Sequence, residues 1–195
     1  MPSHKPFDLD HYLHHIQNSP CFICEMIAGR LNNNHIIYQD EVFIAFLNKY
    51  PTLYGYALVA PIAHKEQVTG DFTLEEYLAL QRGVYQVAEA VRRAVAPERV
   101  YILSLGSQQG NKHVHWHIAP LPPGVPFEQQ QLGALRVEGG VLDMAESELA
   151  ALAEKIRQCL TVLSTNHCEN LSANRCENPF FKRRKTRQIA QAFSQ

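Results

Sequence analysis

"HVHWHIAP", residues 113–120, sets imidazole and hydrophobe in strict alternation. Alternation is the β-strand period, so this stretch is predicted as a strand with His113, His115 and His117 on one face and Val114, Trp116 and Ile118 on the other. The apolar face belongs on a core, which makes Trp116 a core residue rather than a base-stacking platform. The imidazole face belongs in a cleft. Each ring carries polar nitrogens that need partners, so three rings in register make poor core and point to a site.

Outward from this strand, the chain reads as strands, one long helix, then strands again. "HIIYQD" and "VFIAFLN" are two β-rich runs joined at Asp40-Glu41, and "YGYALVAP" is a third, ended by Pro61. In "TLEEYLALQRGVYQVAEAVRRAVAP", Thr73 and Glu76 form a capping box, Leu74, Tyr77, Leu78, Val84, Tyr85, Ala88 and Val91 recur at helical spacing, and Pro97 closes the helix. "RVYILSLG" is a fourth strand and "SQQGNK" a polar loop leading into the fifth. Before these, residues 1–18 read as a polar lead-in with room for a short helical turn. A short helix over Pro20–Ala28 follows, capped by Ser19 and closed by Gly29, with Cys21 and Cys24 one turn apart. After the fifth strand come a proline-rich crossing, a helix over Met144–Leu163 starting at Asp143, and a basic helix from Asn178. This order predicts an α+β fold: an antiparallel five-stranded sheet with a long helix, plus a helical C-terminal extension. The expected division is a lead-in over 1–18, a domain over 19–125 and the extension over 126–195.

The bulk numbers leave room for one domain with a real core: 195 residues, 46% hydrophobic. A net charge of −1 supplies no global field for nucleic acid or membrane. No apolar run approaches the ~20 residues of a membrane span, and the polar N-terminus lacks a secretory pattern, so a cytoplasmic protein is expected. Five unevenly spread cysteines argue against a secreted disulfide framework. Lys182, Arg183, Arg184, Lys185 and Arg187 could meet phosphates, but a solvated helix face explains them equally well. His11, His14 and His15 read as an incidental exposed cluster, and Cys168 and Cys176 read as reduced thiols, with His167 beside them giving a faint second metal signal.

Three imidazoles on a strand suit two chemistries. One is zinc binding through His-x-His. The other is attack of a neutral imidazole on phosphorus while its neighbours orient it and hold the oxygens. The loop "GSQQGNK" favours the second, since its backbone N–H groups and amide side chains can face an anion.

The stretch from Cys21 to Pro120, with "FLNKYPTLYGYALVAPIAHKE" and "SLGSQQGNKHVHWH", resembles the histidine triad (HIT) family, closest to its dinucleoside-polyphosphate-cleaving branch. The resemblance implies a nucleotidyl hydrolase or transferase acting on purine nucleotides, such as phosphoramidates and dinucleoside polyphosphates. His115 would attack the α-phosphorus and form a covalent nucleotidyl-histidine. His117 would bind a phosphoryl oxygen and help the leaving group, and His113 would orient the cluster. Asn48 falls where that branch contacts the ribose, and Ser104 where relatives carry an amide. The loop from Gly106 to His113 is about two residues shorter than usual, and Gly110 replaces the usual hydroxyl residue three before the first histidine. Gln109 and Asn111 are the expected substitutes for its phosphate contacts. Cys21, Cys24, His64 and His113 match the positions at which some members hold a structural zinc, which would leave no open coordination position for catalysis. No organic cofactor is expected, and a homodimer is. Two other readings compete: a nucleotide-binding regulator with little catalysis, and a hydrolase holding zinc on all three histidines.

Overall fold

A computed structural model describes residues 2–32 and 34–173. The expected helix from Asn178 and the Lys182–Arg187 patch lie outside the described residues, as do Cys176 and the side chains of His167 and Cys168. Residues 1–163 form one compact unit, and a second unit begins at Ser164.

The elements in chain order are β1 (His4–Lys5), α1 (Leu9–Asn18), α2 (Phe22–Ile27), β2 (Ile36–Gln39), β3 (Phe43–Leu47), β4 (Ala57–Pro61), α3 (Leu74–Val95), β5 (Arg99–Ser104), β6 (Trp116–Leu121), β7 (Val141–Leu142) and α4 (Glu146–Ala173). Five strands form an antiparallel sheet in the order β2-β3-β4-β6-β5, and β1 pairs with β7. The expected α+β architecture is therefore the observed one. The β2–β3 hairpin turns at Asp40, whose carboxylate accepts the backbone N–H groups of Val42 (2.8 Å) and Phe43 (2.9 Å).

Strand alternation divides the core in two. Phe43, Ala45, Leu47, Ala57, Val59, Trp116 and Ile118 pack with α3 and with Leu152, Ile156 and Leu160 of α4. Ile44, Phe46, Leu58, Ala60 and Ala119 face the other way and pack with Ile23 and Met26 of α2. Both faces of β3 and β4 are buried, which is why those strands read as near-continuous apolar runs.

Several boundaries differ from the sequence reading, each for a local reason. The strand expected from His113 begins at Trp116, where Ser104 of β5 and Val59 of β4 are the last pairing partners. Upstream, Val114 N–H donates instead to Lys65 O at 2.7 Å. Ser19 does not cap α2. It closes α1, with its hydroxyl 3.2 Å from His15 Nδ1, and Cys21 takes the N-cap position. Asp143 does not cap α4, because its N–H meets Ser3 O and its carboxylate meets Lys5. The lead-in contains β1 and a ten-residue α1 capped by Asp8, where the sequence reading allowed a short helical turn. On α3 the capping box holds, but Leu74, Leu78 and Tyr85 are exposed. The buried face keeps the expected Val84, Ala88 and Val91 and adds Leu80, Gly83, Val87, Ala90 and Ala94, because small residues let the helix settle close.

Gly83 shows how close. A Cβ there would stand 2.5 Å from Phe43 Cε1, on a ring that is itself buried. Gly-to-Ala changes normally stabilise a helix interior by up to ~1 kcal/mol. Gly83→Ala is expected instead to destabilise by about 1–3 kcal/mol through overpacking. A fall in Tm checks this, and a rise would show that Phe43 does not press on α3.

Candidate active site

His113, His115 and His117 sit at the start of β6 and just before it. His113 is 1% and His115 5% exposed, so both rings need internal partners. His113 Nε2–H donates to Pro61 O at 3.0 Å. His115 Nδ1–H donates to the carbonyl of His113 at 2.7 Å. That assignment follows from the acceptor: a carbonyl needs a donor, so the proton sits on Nδ1 and Nε2 is left bare. The His115 carbonyl in turn accepts Ser104 Oγ–H at 2.9 Å. His117 lies on β6 between Leu58 and Leu103, its ring centroid 4.8 Å from that of His115. Tyr56 Oη lies 2.9 Å from His117 Nδ1. The phenol has no other side-chain partner among the described residues, and burial pushes its pKa up, so it donates to Nδ1 and leaves the ring proton on Nε2. That Nε2 is buried with no hydrogen-bond partner among the described residues.

Burial is the main influence on all three rings. It pushes His113 down to about 4, against the Pro61 hydrogen bond and with help from the His64 and His115 charges. It lowers His115, against the bond to the His113 carbonyl. It pushes His117 down to about 4, aided by the His115 charge. The Leu105 backbone, which faces His117 without closing a sound hydrogen bond, opposes that shift. The cluster is neutral near pH 7, with a bare nitrogen on His115 beside an N–H on His117.

The polar loop joins β5 to His113. Gly110 N–H donates to Ser107 O, and Gln109 N–H to Ser107 Oγ. Asn111 adopts a positive φ of 55° and its amide donates to Tyr12 Oη at 2.8 Å. A Cβ on Gly110 would meet Ile16 Cδ1 at 2.7 Å, so glycine stands there because α1 covers the loop. Asn48 follows β3, and its Oδ1 accepts Tyr50 N–H at 2.9 Å. Ser104 commits its proton to the His115 carbonyl and keeps only lone pairs for other contacts.

Cys21 and Cys24, on the first turn of α2, converge with His64 and His113; their ligand atoms all lie within 4.8 Å of one another. His113 Nδ1 lies 3.5 Å from Cys21 Sγ and 3.6 Å from Cys24 Sγ, and His64 Nδ1 lies 3.2 Å from Cys24 Sγ. A tetrahedral zinc with ordinary Zn–S and Zn–N bonds sets its ligands about 3.5 Å apart. The outer nitrogens are engaged as metal-bound histidines require: His113 Nε2 with Pro61 O and His64 Nε2 with Glu66 Oε1 at 3.3 Å. Without a cation, burial, followed by the Cys21 thiol, pushes Cys24 up to about 11, and a bound cation would reverse this. The donor set fits zinc. Among the described residues, His113 is the one triad histidine that belongs to this converging group.

His11, His14 and His15 are exposed on α1, where His14 meets Asn18 and His15 meets Ser19. Trp116 packs edge-on to Phe72 and Tyr77, away from the triad. A hollow of about 580 Å³, lined among others by Thr52, Tyr54, Pro122 and Arg136, contains none of the three histidines. Tyr56, Pro61 and Tyr12 are site residues that the sequence reading missed. For Tyr56 a signal existed: it lies in the "YGYALVAP" run, one residue before β4, where strand alternation from Leu58 sets it on the face bearing His117.

The HIT domain family matches residues 30–123, a span that holds all five strands of the sheet. An uncharacterized HIT-like protein of Saccharolobus solfataricus is 30% identical over 103 residues, covering 51% of this chain and 73% of that protein. The adenosine 5′-monophosphoramidase hnt1 of Schizosaccharomyces pombe is 26% identical over 133 residues, covering 60% of this chain and 94% of that protein. A Zn-bound histidine triad family protein of Mycobacterium smegmatis has a similar fold, with a TM-score of 0.59, 21% identity, and coverage of 75% of this chain and 96% of that one. Domain match, relatives and motif agree: the chain belongs to the histidine triad (HIT) family.

Proposed function

We propose that this protein is a nucleotidyl hydrolase or transferase in which His115 Nε2 attacks the α-phosphorus of a purine nucleotide. The observation that carries this reading is the 2.7 Å bond from His115 Nδ1 to the His113 carbonyl, which leaves a neutral ring with its other nitrogen bare. As the Nε2–P bond forms, the bond from phosphorus to the leaving group breaks. The substrate's negative charge raises the proton affinity of His117, so the ring takes up a solvent proton as the substrate binds, and this imidazolium gives its Nε2 proton to the departing atom and returns to neutral. Water then attacks phosphorus, the N–P bond breaks, and His117 takes the proton from water. Asn48 is assigned to the ribose, and Gln109 and Asn111 to the phosphate side, while Ser104, whose proton goes to the His115 carbonyl, holds the triad backbone beside them.

The phosphoramidase relationship favours a nucleoside phosphoramidate, and Asn48 favours a dinucleoside polyphosphate. We assign catalysis to residues 19–125 and place the protein in the cytoplasm; among the described residues no helix is long and apolar enough to cross a membrane. The exposed Leu74, Leu78 and Tyr85 of α3, with Ile102 on edge strand β5, suit a homodimer contact. Zinc on Cys21, Cys24, His64 and His113 would supply structural cross-linking between α2 and the strand that carries the triad. The Zn-bound M. smegmatis relative and the converging donor atoms support this.

His115→Ala is expected to lower turnover of adenosine phosphoramidate and diadenosine polyphosphates at least ~1,000-fold while AMP still binds. Mass spectrometry of wild type quenched in acid-free denaturant should find a nucleotidyl group on His115. Undiminished turnover by the variant refutes the mechanism, and AMP binding without turnover or adduct in wild type indicates the regulatory reading instead.

Metal analysis of purified protein is expected to give about one zinc per chain, lost in Cys21→Ser with a fall in Tm. Zinc retained by Cys21→Ser but lost in His117→Ala would instead place the ion on the triad.

A further inference from the structure

We propose that α1 is a wall of the nucleotide site and that Tyr12 is a positioning residue for Asn111. This rests on the nucleotide reading above. Two rims border the triad. One is the turn from Asn48 to Tyr56, which reaches His117 through the Tyr56 hydroxyl. The other is the Leu105–Lys112 loop, tied to the triad backbone where Ser104 meets the His115 carbonyl. α1 touches both. The Tyr12 ring packs on Tyr50 at 5.6 Å and on Phe7 at 5.4 Å, and Phe7 packs on Tyr50 at 5.1 Å, which fastens α1 to the first rim. The Tyr12 hydroxyl accepts the Asn111 amide at 2.8 Å, and Ile16 lies on Gly110, which fastens it to the second.

These contacts are the helix's support. α1 has ten residues, none of them buried, and an isolated helix of that length is marginal in water. Its Tyr12–Ile16 stripe faces the rims while Leu9 and Leu13 stay exposed. The dependence is mutual. Asn111 is held at a φ of 55°, and the bond to Tyr12 fixes which way its amide turns. One amide proton goes to Tyr12, and the second proton and the carbonyl oxygen remain for a ligand. Tyr12 therefore presets the amide for a phosphoryl oxygen rather than competing for it. At Gly110 the absence of a Cβ lets Ile16 sit against the loop backbone.

The test uses full-length protein, AMP titrated by calorimetry, steady-state turnover of adenosine phosphoramidate, and backbone hydrogen exchange. Tyr12→Phe keeps the ring and removes the acceptor. It is expected to weaken AMP binding about three- to tenfold, the range of one lost hydrogen bond, with KM rising and kcat held within about twofold. Gly110→Val is expected to weaken AMP to a similar degree and to speed exchange across residues 9–18. Adding Ile16→Ala, which makes room for the new side chain, is expected to restore both, since packed neighbours couple. If wild type binds AMP and these variants bind it equally well, or more tightly, the nucleotide reading stands and the role of α1 is overturned. If wild type does not bind AMP, the nucleotide reading fails and this inference fails with it.

Discussion

The hydrogen bond from His115 Nδ1 to the carbonyl of His113 is the constraint on which the site depends. It joins two residues only two apart, and it needs that carbonyl to be turned out of sheet pairing. The strand supplies this by not pairing until Trp116. Around the bond, each atom that could drift is held. The His113 ring is tied to Pro61 at the end of β4, and the His115 carbonyl to Ser104 at the end of β5. Two flanking strands thus end at the triad and contribute one polar contact each. A buried ring held in one tautomer is what a neutral nucleophile requires, and burial rather than a nearby carboxylate keeps it neutral.

His113 links this bond to the rest of the fold. Its carbonyl orients His115, and its ring faces Cys21 and Cys24 on α2. Helix α2 is short, but Ile23 and Met26 anchor it under the sheet, so the cysteines are placed by packing before any ion is considered. The opposite sheet face is sealed by α3 and α4 around Trp116. The triad is therefore placed at the boundary between two cores, where a strand's alternation sends indole one way and imidazole the other.

Much of this was legible in the sequence. The alternation at residues 113–118 carried both the core face and the site face, the Thr73/Glu76 box marked the start of α3, and the four metal-type donors converge despite sitting in three separate segments. What was not legible depended on tertiary choice. Helical spacing alone cannot say which apolar stripe of α3 meets the sheet, and the stripe with Gly83 and the alanines won over Leu74, Leu78 and Tyr85. Ser19 and Asp143 looked like helix caps, yet each had a better partner, His15 and Lys5, that only folding brings near. The polar lead-in suggested no more than a helical turn, because the residues that anchor all of α1, Phe7, Tyr12 and Ile16, meet partners at positions 50, 110 and 111. Gly110 looked like a lost phosphate contact in the sequence, and the structure gives it a steric reason.

The chemistry of the triad turns on one proton on one ring, which long-range proton–nitrogen NMR of the histidine side chains reads directly. With the His115 resonances assigned through loss of signal in His115→Gln, the account predicts a neutral ring at pH 7 protonated on Nδ1, with Nε2 showing the shift of an unprotonated nitrogen. A ring protonated on Nε2, or on both nitrogens at that pH, would contradict it.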